Sequence, residues 1–441
     1  MRAKLGVISL GCAKNRVDTE TMLGALADEY EFVQDIEQAD IALINTCSFI
    51  NDAKEESINT ILEAEQLKKF GHLKGIIVTG CLTERFHEEL KELMPRVDAF
   101  LGVAAYKDIA AAVEAVLEGK KLTSYEDKTI PPHFLPRIVT TPKPTAYVKI
   151  AEGCDNNCSY CVIPQVRGPL QSRRMEDILE ETVTLVQNGY KEILLIAQDT
   201  TEYGRDIYGE PMLPALLDKA AQIPGLKWLR LLYCYPERIT EELIDTMLRH
   251  ETIVKYIDMP IQHFDNEILQ AMNRRNTYET TERVVNMIRA KSPDFIIRTT
   301  LITGFPGETR QEAKAVSEAL HKFRFDRVGV FKYSQEEGTP AGEMPNQISE
   351  DEKEFRRDML VTVQAGISLA KNKERIGKCY DVLIEGFDNE SNLFYGRSYA
   401  EAPEIDGKIF VNAPDQKIDI GGFYTVRITH GYHYDLKGEL C

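Results

Sequence analysis

Short apolar runs alternate with segments of helical spacing over the first quarter of the chain. Four of these runs, rich in Val, Ile and Leu, have the length of strands and cover residues 4–11, 41–46, 75–80 and 97–103. Strands that alternate with helices form a parallel sheet, because parallel neighbours need a crossover connection. The pattern predicts an α/β domain with a doubly wound parallel sheet and helices on both of its faces.

A cysteine follows three of these four runs. Cys12, Cys47 and Cys81 are 35 and 34 residues apart, which is one strand-plus-helix unit each time. Each would lie at the carboxyl end of its strand, the edge where doubly wound sheets build their sites. We therefore expect the three thiols to converge in space at this edge. Cysteine is also a common buried residue, so three separate core positions are the alternative.

The periodicity then fails. Five prolines fall within residues 131–144, and each one removes a backbone donor and fixes φ. We predict an extended linker over residues 119–145, after an N-terminal domain over residues 1–118. Two cations near the linker, Lys143 and Lys149, are interpreted as solvated charges.

A second alternation predicts a central domain over residues 146–375. Its strand-like runs cover residues 146–150, 192–197, 228–232, 255–259, 295–302 and 327–333. Six strand-helix units are fewer than the eight that close a TIM barrel, so we predict a partial (β/α)6 barrel that is open on one side. An open barrel leaves room for a large substrate. A charged helix over residues 349–375 ends this domain.

The loop after the first of these strands contains three cysteines within eight residues. Cys154, Cys158 and Cys161 have the spacing C-x3-C-x2-C, and the run contains no histidine. Thiolates hold iron-sulfur clusters, and a four-iron cluster with three protein ligands keeps one iron open for a small molecule. The alternative is a zinc site, which needs four ligands and would have to borrow Cys234 or a histidine.

The same spacing resembles the C-x3-C-x-aromatic-C signature of radical S-adenosylmethionine (SAM) enzymes, with Tyr160 in the aromatic position. The resemblance implies that Cys154, Cys158 and Cys161 are the catalytic ligands of a [4Fe-4S] cluster that cleaves SAM to a 5'-deoxyadenosyl radical. It also implies that the predicted barrel is the radical SAM core.

Two N-terminal runs extend the resemblance. SLGCAKNRVD contains Cys12 and NTCSF contains Cys47, and both are similar to the N-terminal domain of methylthiotransferases. In that family three such cysteines hold a second [4Fe-4S] cluster, which implies that Cys12, Cys47 and Cys81 are metal ligands. SLGCAKNRVD and KIAEGC resemble the RimO type, which inserts a methylthio group at the β-carbon of an aspartate in the small-subunit ribosomal protein S-twelve.

Two alternatives stay open at this point. A tRNA adenosine methylthiotransferase shares every one of these cysteines. A non-catalytic iron-sulfur or zinc protein that binds RNA belongs to a different class, and detection of 5'-deoxyadenosine would exclude it.

Four more residues of the central domain are predicted, with Tyr160, to contact the cofactor. Gln198 follows the second strand-like run, while Gly304 and Gly307 follow the fifth, in a loop that resembles the SAM-contacting loop of the family. Glycine lets a backbone approach a ligand closely, although a tight turn would need the same residues. Arg298 could neutralise a bound carboxylate, and a structural ion pair would explain it equally well.

The last segment, residues 376–441, changes character. Four short strand-like runs cover residues 380–385, 393–397, 408–411 and 423–429. They predict a small antiparallel β-barrel, which resembles a TRAM domain, an OB-like module associated with RNA. The segment has six basic and eleven acidic residues, a net charge of −5. Because a module that grips phosphates is basic, we expect it to attract a basic protein and not to bind RNA directly.

The composition of the chain indicates where in the cell it acts. The chain has a net charge of −17, no run approaching the ~20 apolar residues of a membrane span, and no signal-peptide h-region. Its nine cysteines are an odd number and do not form a secreted scaffold, which favours a reducing cytoplasm. By the resemblance, the expected partners are a basic ribosomal protein, free or within the small subunit, and an external electron donor.

Overall fold

The fold is that of a computed structural model, which describes residues 2–125, 128, 136–413 and 417–441. Three residues used in the sequence arguments, Pro131 and Pro132 of the linker and Asp415 of the acidic segment, lie outside these ranges. Within the described residues, no helix is both long and apolar enough to cross a membrane.

The N-terminal sheet has six parallel strands, where four were predicted. The strands are β1 Lys4–Ser9, β2 Glu31–Val33, β3 Ile41–Thr46, β4 Gly75–Gly80, β5 Ala99–Leu101 and β6 Leu122–Ser124. The helices are α1 Ala13–Leu26, α2 Asn51–Lys69, α3 Cys81–Arg85, α4 His87–Leu93 and α5 Ile109–Leu117. The order is β2-β1-β3-β4-β5-β6. The two missed strands lie at the sheet edges and have three residues each, too few to show a period of two.

Helices cover both faces of this sheet, as predicted. Met22 of α1 and Val113 of α5 pack on one face, and Ile61 of α2 packs on the other. Successive strand residues point to opposite faces. Leu43 and Ile44 of β3 accordingly belong to the two different cores.

All six predicted strands of the central domain are present. They are β7 Thr145–Lys149, β10 Glu192–Ile196, β11 Trp228–Leu231, β12 Ile253–Asp258, β13 Ile296–Thr303 and β14 Arg327–Lys332, and a short ribbon is formed by β8 Ala151–Glu152 and β9 Gln171–Ser172. The helices are α6 Ile163–Arg167, α7 Met175–Gln187, α8 Arg205–Tyr208, α9 Leu213–Ala220, α10 Glu241–Arg249, α11 Asn266–Ala271, α12 Tyr278–Lys291, α13 Arg310–Phe323 and α14 Glu350–Lys373. The six long strands form one parallel sheet in the order β14-β13-β12-β11-β10-β7.

The face of the central sheet opposite its helices is partly covered by other segments of the chain. Leu194 and Tyr256, on the face opposite the helices, share a core with Val17 of α1. Leu383 of the C-terminal segment packs into the same core. The first and last segments of the chain therefore both pack on the central sheet.

Both ends of the segment predicted as a linker, residues 119–145, contain strand residues. β6 lies within it and pairs with β5, so the N-terminal sheet continues beyond residue 118. At the other end, β7 begins at Thr145. The boundaries of the three domains stay a prediction.

The C-terminal segment forms a closed five-stranded barrel. Its strands are β15 Cys379–Asp388, β16 Leu393–Arg397, β17 Ile409–Asn412, β18 Phe423–Gly431 and β19 Leu436–Leu440. Four of the pairings are antiparallel, and β17 pairs with β19 in parallel. The fifth strand was missed because its sequence, LKGEL, carries little of the β-branched and aromatic pattern of a strand.

A buried ion cluster joins this barrel to the central sheet. Arg397 of β16 lies 2.7 Å from the carboxylate of Glu192 on β10, and Arg230 of β11 lies 3.0 Å from it. Burial alone would raise the pKa of Glu192, but the two arginines lower it to about 2. The carboxylate is therefore charged, and it anchors the barrel through a charge pair shielded from water.

Candidate active site

The loop between β8 and α6 carries the three cysteines of the central domain. Cys154 and Cys158 are buried and Cys161 is half-buried. Gly153 precedes them with a φ of +70°, and a Cβ at this position would lie 1.9 Å from the carbonyl oxygen of Pro169. Only glycine permits such an approach, so this residue determines how the loop leaves β8.

Backbone and side-chain N–H groups are directed at the sulfurs of this loop. The backbone N and the Nδ2 of Asn156 each donate to Cys154 Sγ at 3.4 Å, and the N of Ile163 donates to Cys161 Sγ at 3.5 Å. Burial raises the pKa of the Cys154 thiol to about 11. A coordinated thiol is deprotonated outright, and a thiolate is the better acceptor for these donors. The loop therefore offers N–H donors that suit thiolate sulfur at Cys154 and Cys161.

Arg274 lies close to the sulfur of Cys158, the remaining cysteine of this loop. Its Nη1 lies 3.8 Å from Cys158 Sγ, and its guanidinium stacks 4.2 Å from the ring centroid of Tyr235. A pocket beside Cys158 is lined by polar groups that include Asn157 and Glu237. Sequence reasoning missed Arg274, because it lies in the loop between α11 and α12 and belongs to no motif.

The N-terminal cysteines meet at one edge of their sheet, as predicted. Cys12 follows β1, Cys47 follows β3 and Cys81 begins α3 after β4, and these three strands are neighbours. A Cβ on Gly11 would lie 2.9 Å from Cys47 Sγ, so the first cysteine loop touches the second. Cys12 is exposed, whereas Cys47 and Cys81 are buried.

An arginine of the central domain completes the N-terminal site. Arg167, the last residue of α6, has its Nη2 3.5 Å from Cys81 Sγ. Its Nη1 binds Asp18 of α1 at 2.8 Å and Glu152 of β8 at 2.9 Å. Lys149 also pairs with both carboxylates. The N-terminal cysteine site is therefore joined to the central domain by one buried ion network.

Lys149 corrects a prediction. It was interpreted as a solvated charge beside the linker, but it is 5% exposed and lies on β7. The interpretation was wrong because the carboxylate of Asp18, 131 residues away in sequence, provides the partner that allows burial.

Two predicted cofactor contacts lie beside the central cysteines. Tyr160 packs against a buried apolar cluster that includes Phe305, a residue of the loop after β13 that contains Gly304 and Gly307 and is called the glycine loop below. Gln198 follows β10, and its Nε2 donates to Glu152 at 2.6 Å. The Oε1 of Gln198 is buried and has no hydrogen-bond partner among the described residues.

The glycine loop forms a tight turn. Gly304 and Gly307 have φ values of +75° and +85°. The carboxylate of Glu308 closes the turn by accepting from the backbone N of Phe305 at 3.1 Å and from Thr303 Oγ1 at 3.1 Å. The turn thus accounts for both glycines without a ligand, and a contact with SAM stays a prediction.

Arg298 is paired within the chain. Its Nη1 lies 2.7 Å from Asp258, and its Nε lies 4.0 Å from Asp406 of the C-terminal segment. This is the structural ion pair that the sequence left as an alternative, and a role in cofactor binding stays a prediction.

The fit of these sites to iron-sulfur clusters rests on their donor chemistry. Among the described residues, no three His, Cys, Asp or Glu side chains form a group able to hold one metal ion. In a cluster each thiolate binds a different iron, so the sulfurs need not converge on one point. Each site offers three thiols and one buried arginine beside a sulfur, Arg167 at Cys81 and Arg274 at Cys158.

Three sequence families match the chain in succession. The model of the uncharacterized protein family UPF0004 matches residues 4–102, that of the radical SAM superfamily matches residues 148–320, and that of the TRAM domain matches residues 376–441.

Full-length relatives share a single name, ribosomal protein uS12 methylthiotransferase RimO. The protein of Clostridioides difficile is 46% identical, with 99% of this chain and 98% of the relative covered. That of Pelotomaculum thermopropionicum is 48% identical, with 100% and 99% covered. That of Thermoanaerobacter is 48% identical, with 99% of each covered.

Solved structures support the fold. The radical S-adenosylmethionine methyltransferase TsrM from Kitasatospora setae, solved with cobalamin and a [4Fe-4S] cluster, matches with a TM-score of 0.55 at 16% identity. The match covers 78% of this chain and 77% of TsrM.

Proposed function

We propose a function from the premise that this chain belongs to the RimO family of methylthiotransferases, whose members match it over 99–100% of its length. It is a radical SAM methylthiotransferase. The proposed substrate is ribosomal protein uS12, which would receive a methylthio group at the β-carbon of an aspartate. The observation that carries this proposal is the pair of three-thiol sites at the strand ends of two adjoining sheets, joined through Arg167.

The family's cofactors are two [4Fe-4S] clusters and SAM. We assign one cluster to Cys154, Cys158 and Cys161 and the other to Cys12, Cys47 and Cys81. When bound, these groups supply an electron for SAM cleavage and an open iron for the sulfur to be transferred. Such chemistry is needed because no protein acid or base ionises an aliphatic C–H bond at neutral pH.

The residues of the chain hold these groups and exclude water. Asn156 and Arg274 direct N–H groups at the sulfurs of the central loop. Tyr160 and the buried apolar cluster against which it packs limit the access of water to this loop. The free Oε1 of Gln198 is a buried acceptor suited to the ammonium group of SAM.

The remaining predicted cofactor contacts have less support. Gly307 is open, because a Cβ there would meet no atom within 4 Å, and its backbone can be approached by SAM. At Gly304 a Cβ would lie 2.3 Å from Lys353, so this position is already filled from behind. Arg298 is the weakest candidate, because its guanidinium is paired with Asp258.

The partner proposal rests on charge. The C-terminal segment has a net charge of −5, and five of its acidic residues are exposed: Asp381, Glu390, Glu404, Asp419 and Glu439. Such a surface attracts a basic ribosomal protein and repels RNA. A ribosomal substrate implies a cytoplasmic location, and the radical step implies an external electron donor.

Mass spectrometry tests the substrate. Anaerobically reconstituted enzyme, with SAM, sulfide and a strong reductant, is incubated with uS12 and separately with tRNA. We expect a methylthio group on an aspartate of uS12 and none on tRNA. Modified tRNA adenosine would replace our proposal by the other branch of the family, and absence of 5'-deoxyadenosine would exclude catalysis.

Salt dependence tests the docking surface. If the acidic barrel binds uS12, affinity falls as salt shortens the Debye length from ~10 Å at 0.1 M to ~3 Å at 1 M. The measurement is fluorescence anisotropy of labelled uS12 at constant enzyme iron content. Binding that is unaffected by salt would remove the barrel as the docking surface.

A further inference from the structure

Lys14 is a buried cation that pairs with no carboxylate in the part of the chain that the structure describes. It is the second residue of α1, two positions after Cys12, and its residue is 8% exposed. Among the residues that the structure describes, no carboxylate lies within ion-pair distance of its ammonium group. A buried charge is costly unless it is paired, so an unpaired lysine at this depth calls for an explanation.

The neighbouring carboxylates are already used. Asp18 and Glu152 each bind both Lys149 and Arg167, so two cations face two anions in that network. Lys14 is the additional positive charge at this junction. Its Nζ lies 3.4 Å from the carbonyl oxygen of Ala197, a long contact that uses at most one of its three N–H donors.

The other contact of Lys14 is a ring held in a strained conformation. The ammonium lies 3.4 Å from the ring centroid of Tyr233. Tyr233 has a φ of +62°, which is rare for a bulky residue and persists where the surroundings enforce it. Asp258 accepts from its backbone N at 3.1 Å, and its carbonyl oxygen accepts from the N of Thr200 at 3.0 Å. The chain thus maintains strain to place a tyrosine, and not a carboxylate, against Lys14.

Lys14 also lies at the meeting point of the two cysteine sites. It is on the helix that begins at Cys12, and it contacts Ala197, which follows β10 and precedes Gln198 at the carboxyl edge of the central sheet. A negatively charged group bound by Lys14 would therefore lie where the N-terminal site faces the central site.

We propose that the ammonium of Lys14 binds the side-chain carboxylate of the substrate aspartate, an inference that rests on the proposed function. The β-carbon is bonded directly to the carboxylate carbon, so a fixed carboxylate fixes the reacting carbon as well. The bond would be charge-assisted, which makes it short and strong. Lys14 would then select an acidic substrate over a neutral one such as an adenosine base.

The experiment compares two substrates and three enzymes. The substrates are uS12 and a variant in which the modified aspartate, identified by mass spectrometry, is asparagine. The enzymes are the wild type, Lys14→Met, which keeps the length of the side chain without its charge, and Lys371→Met. Lys371 pairs with Asp326 on the far side of the central domain and serves as the matched control. Dissociation constants and iron content are measured for each enzyme.

We expect the wild type and Lys371→Met to bind the aspartate protein about tenfold tighter than the asparagine protein. In Lys14→Met this ratio should fall to about one, with asparagine binding and iron content unchanged. A retained preference for aspartate overturns the proposal. Loss of iron also overturns it, because Lys14 would then be a counter-ion for the thiolates. If the wild type modifies neither protein, the proposed function itself fails.

Discussion

The two cysteine sites bring three thiols together in different ways. The central site takes all three thiols from a single loop, within eight residues. The N-terminal site takes one thiol from each of three neighbouring strand ends, 34 and 35 residues apart. The first depends on local backbone geometry, and the second depends on an intact parallel sheet.

The arginines beside the two sites also differ in origin. Arg274, beside Cys158, comes from the same domain and is supported by the backbone carbonyl of Pro260 at 2.8 Å. Arg167, beside Cys81, is contributed by the other domain and is fixed between two carboxylates. The N-terminal site is thus completed only when the two domains are packed together.

The largest expected effect separates the two sites by reaction. Cys158→Ala should abolish both methylthio transfer and 5'-deoxyadenosine formation. Cys47→Ala should abolish transfer and keep SAM cleavage, because radical formation requires the central thiols only. A loss of about a thousandfold in product, or more than ~4 kcal/mol, is expected in each case. Product and 5'-deoxyadenosine are measured by mass spectrometry.

Iron content is the control for this pair. The wild type should reconstitute with about eight irons and each variant with about four. If Cys47→Ala also lost SAM cleavage, the two sites would not be separable in role. A wild type that held only four irons would remove the second site.

A smaller effect should separate the two arginines. Arg167→Met leaves Asp18 and Glu152 with a single cation, and breaking such a buried pair costs about 3–5 kcal/mol. Arg274→Met removes hydrogen bonds of a charged group and should cost about 1.5–3 kcal/mol. Both are measured as free energies of unfolding in urea. Equal losses would mean that the contact between the two domains contributes no more charge-dependent stability than the central cysteine loop does.

The two domains should also differ in the pH dependence of their stability. His263, 1% exposed at the carboxyl edge of the central sheet, has its pKa lowered by burial from 6.5 to about 4. The unfolded chain therefore binds a proton between pH 6.5 and 4 that the folded chain does not bind. Stability should fall by about 3 kcal/mol as the pH decreases through this window, and His263→Asn should remove that loss.

The ion network between the N-terminal and central domains, which contains Glu152, should lose its stabilising effect at a lower pH than His263 does. Burial raises the pKa of Glu152, but Arg167 and Lys149 outweigh it and hold that pKa far below its ordinary value of 4.5. The stability from this carboxylate is present above pH 4.5 and is lost as the pH falls below it. Urea unfolding at a series of pH values should show both windows in the wild type. A single window would show that one of the two groups has no effect.

The same contrast explains what could be predicted from sequence. The central site could be read directly, because its three cysteines form one short motif. The N-terminal site could be read through its repeat, because strand ends of a parallel sheet meet at one edge. Arg167 and Lys149 could not, because their partners are distant in sequence and a lone cation carries no periodic signal. The short edge strands β2 and β6 escaped for the related reason that three residues form no pattern.

The position of Arg167 also constrains how the enzyme is made. Cys81 and the arginine that lies against it are 86 residues apart in the chain. A ribosome adds about 5–20 residues per second, so Cys81 is synthesised roughly 4–17 s before the arginine that contacts it. During that interval Cys81 has only the residues of its own domain around it. Cluster loading is therefore expected to follow synthesis of the radical loop, and a chain truncated before Arg167 should mature poorly even though its three N-terminal cysteines are present.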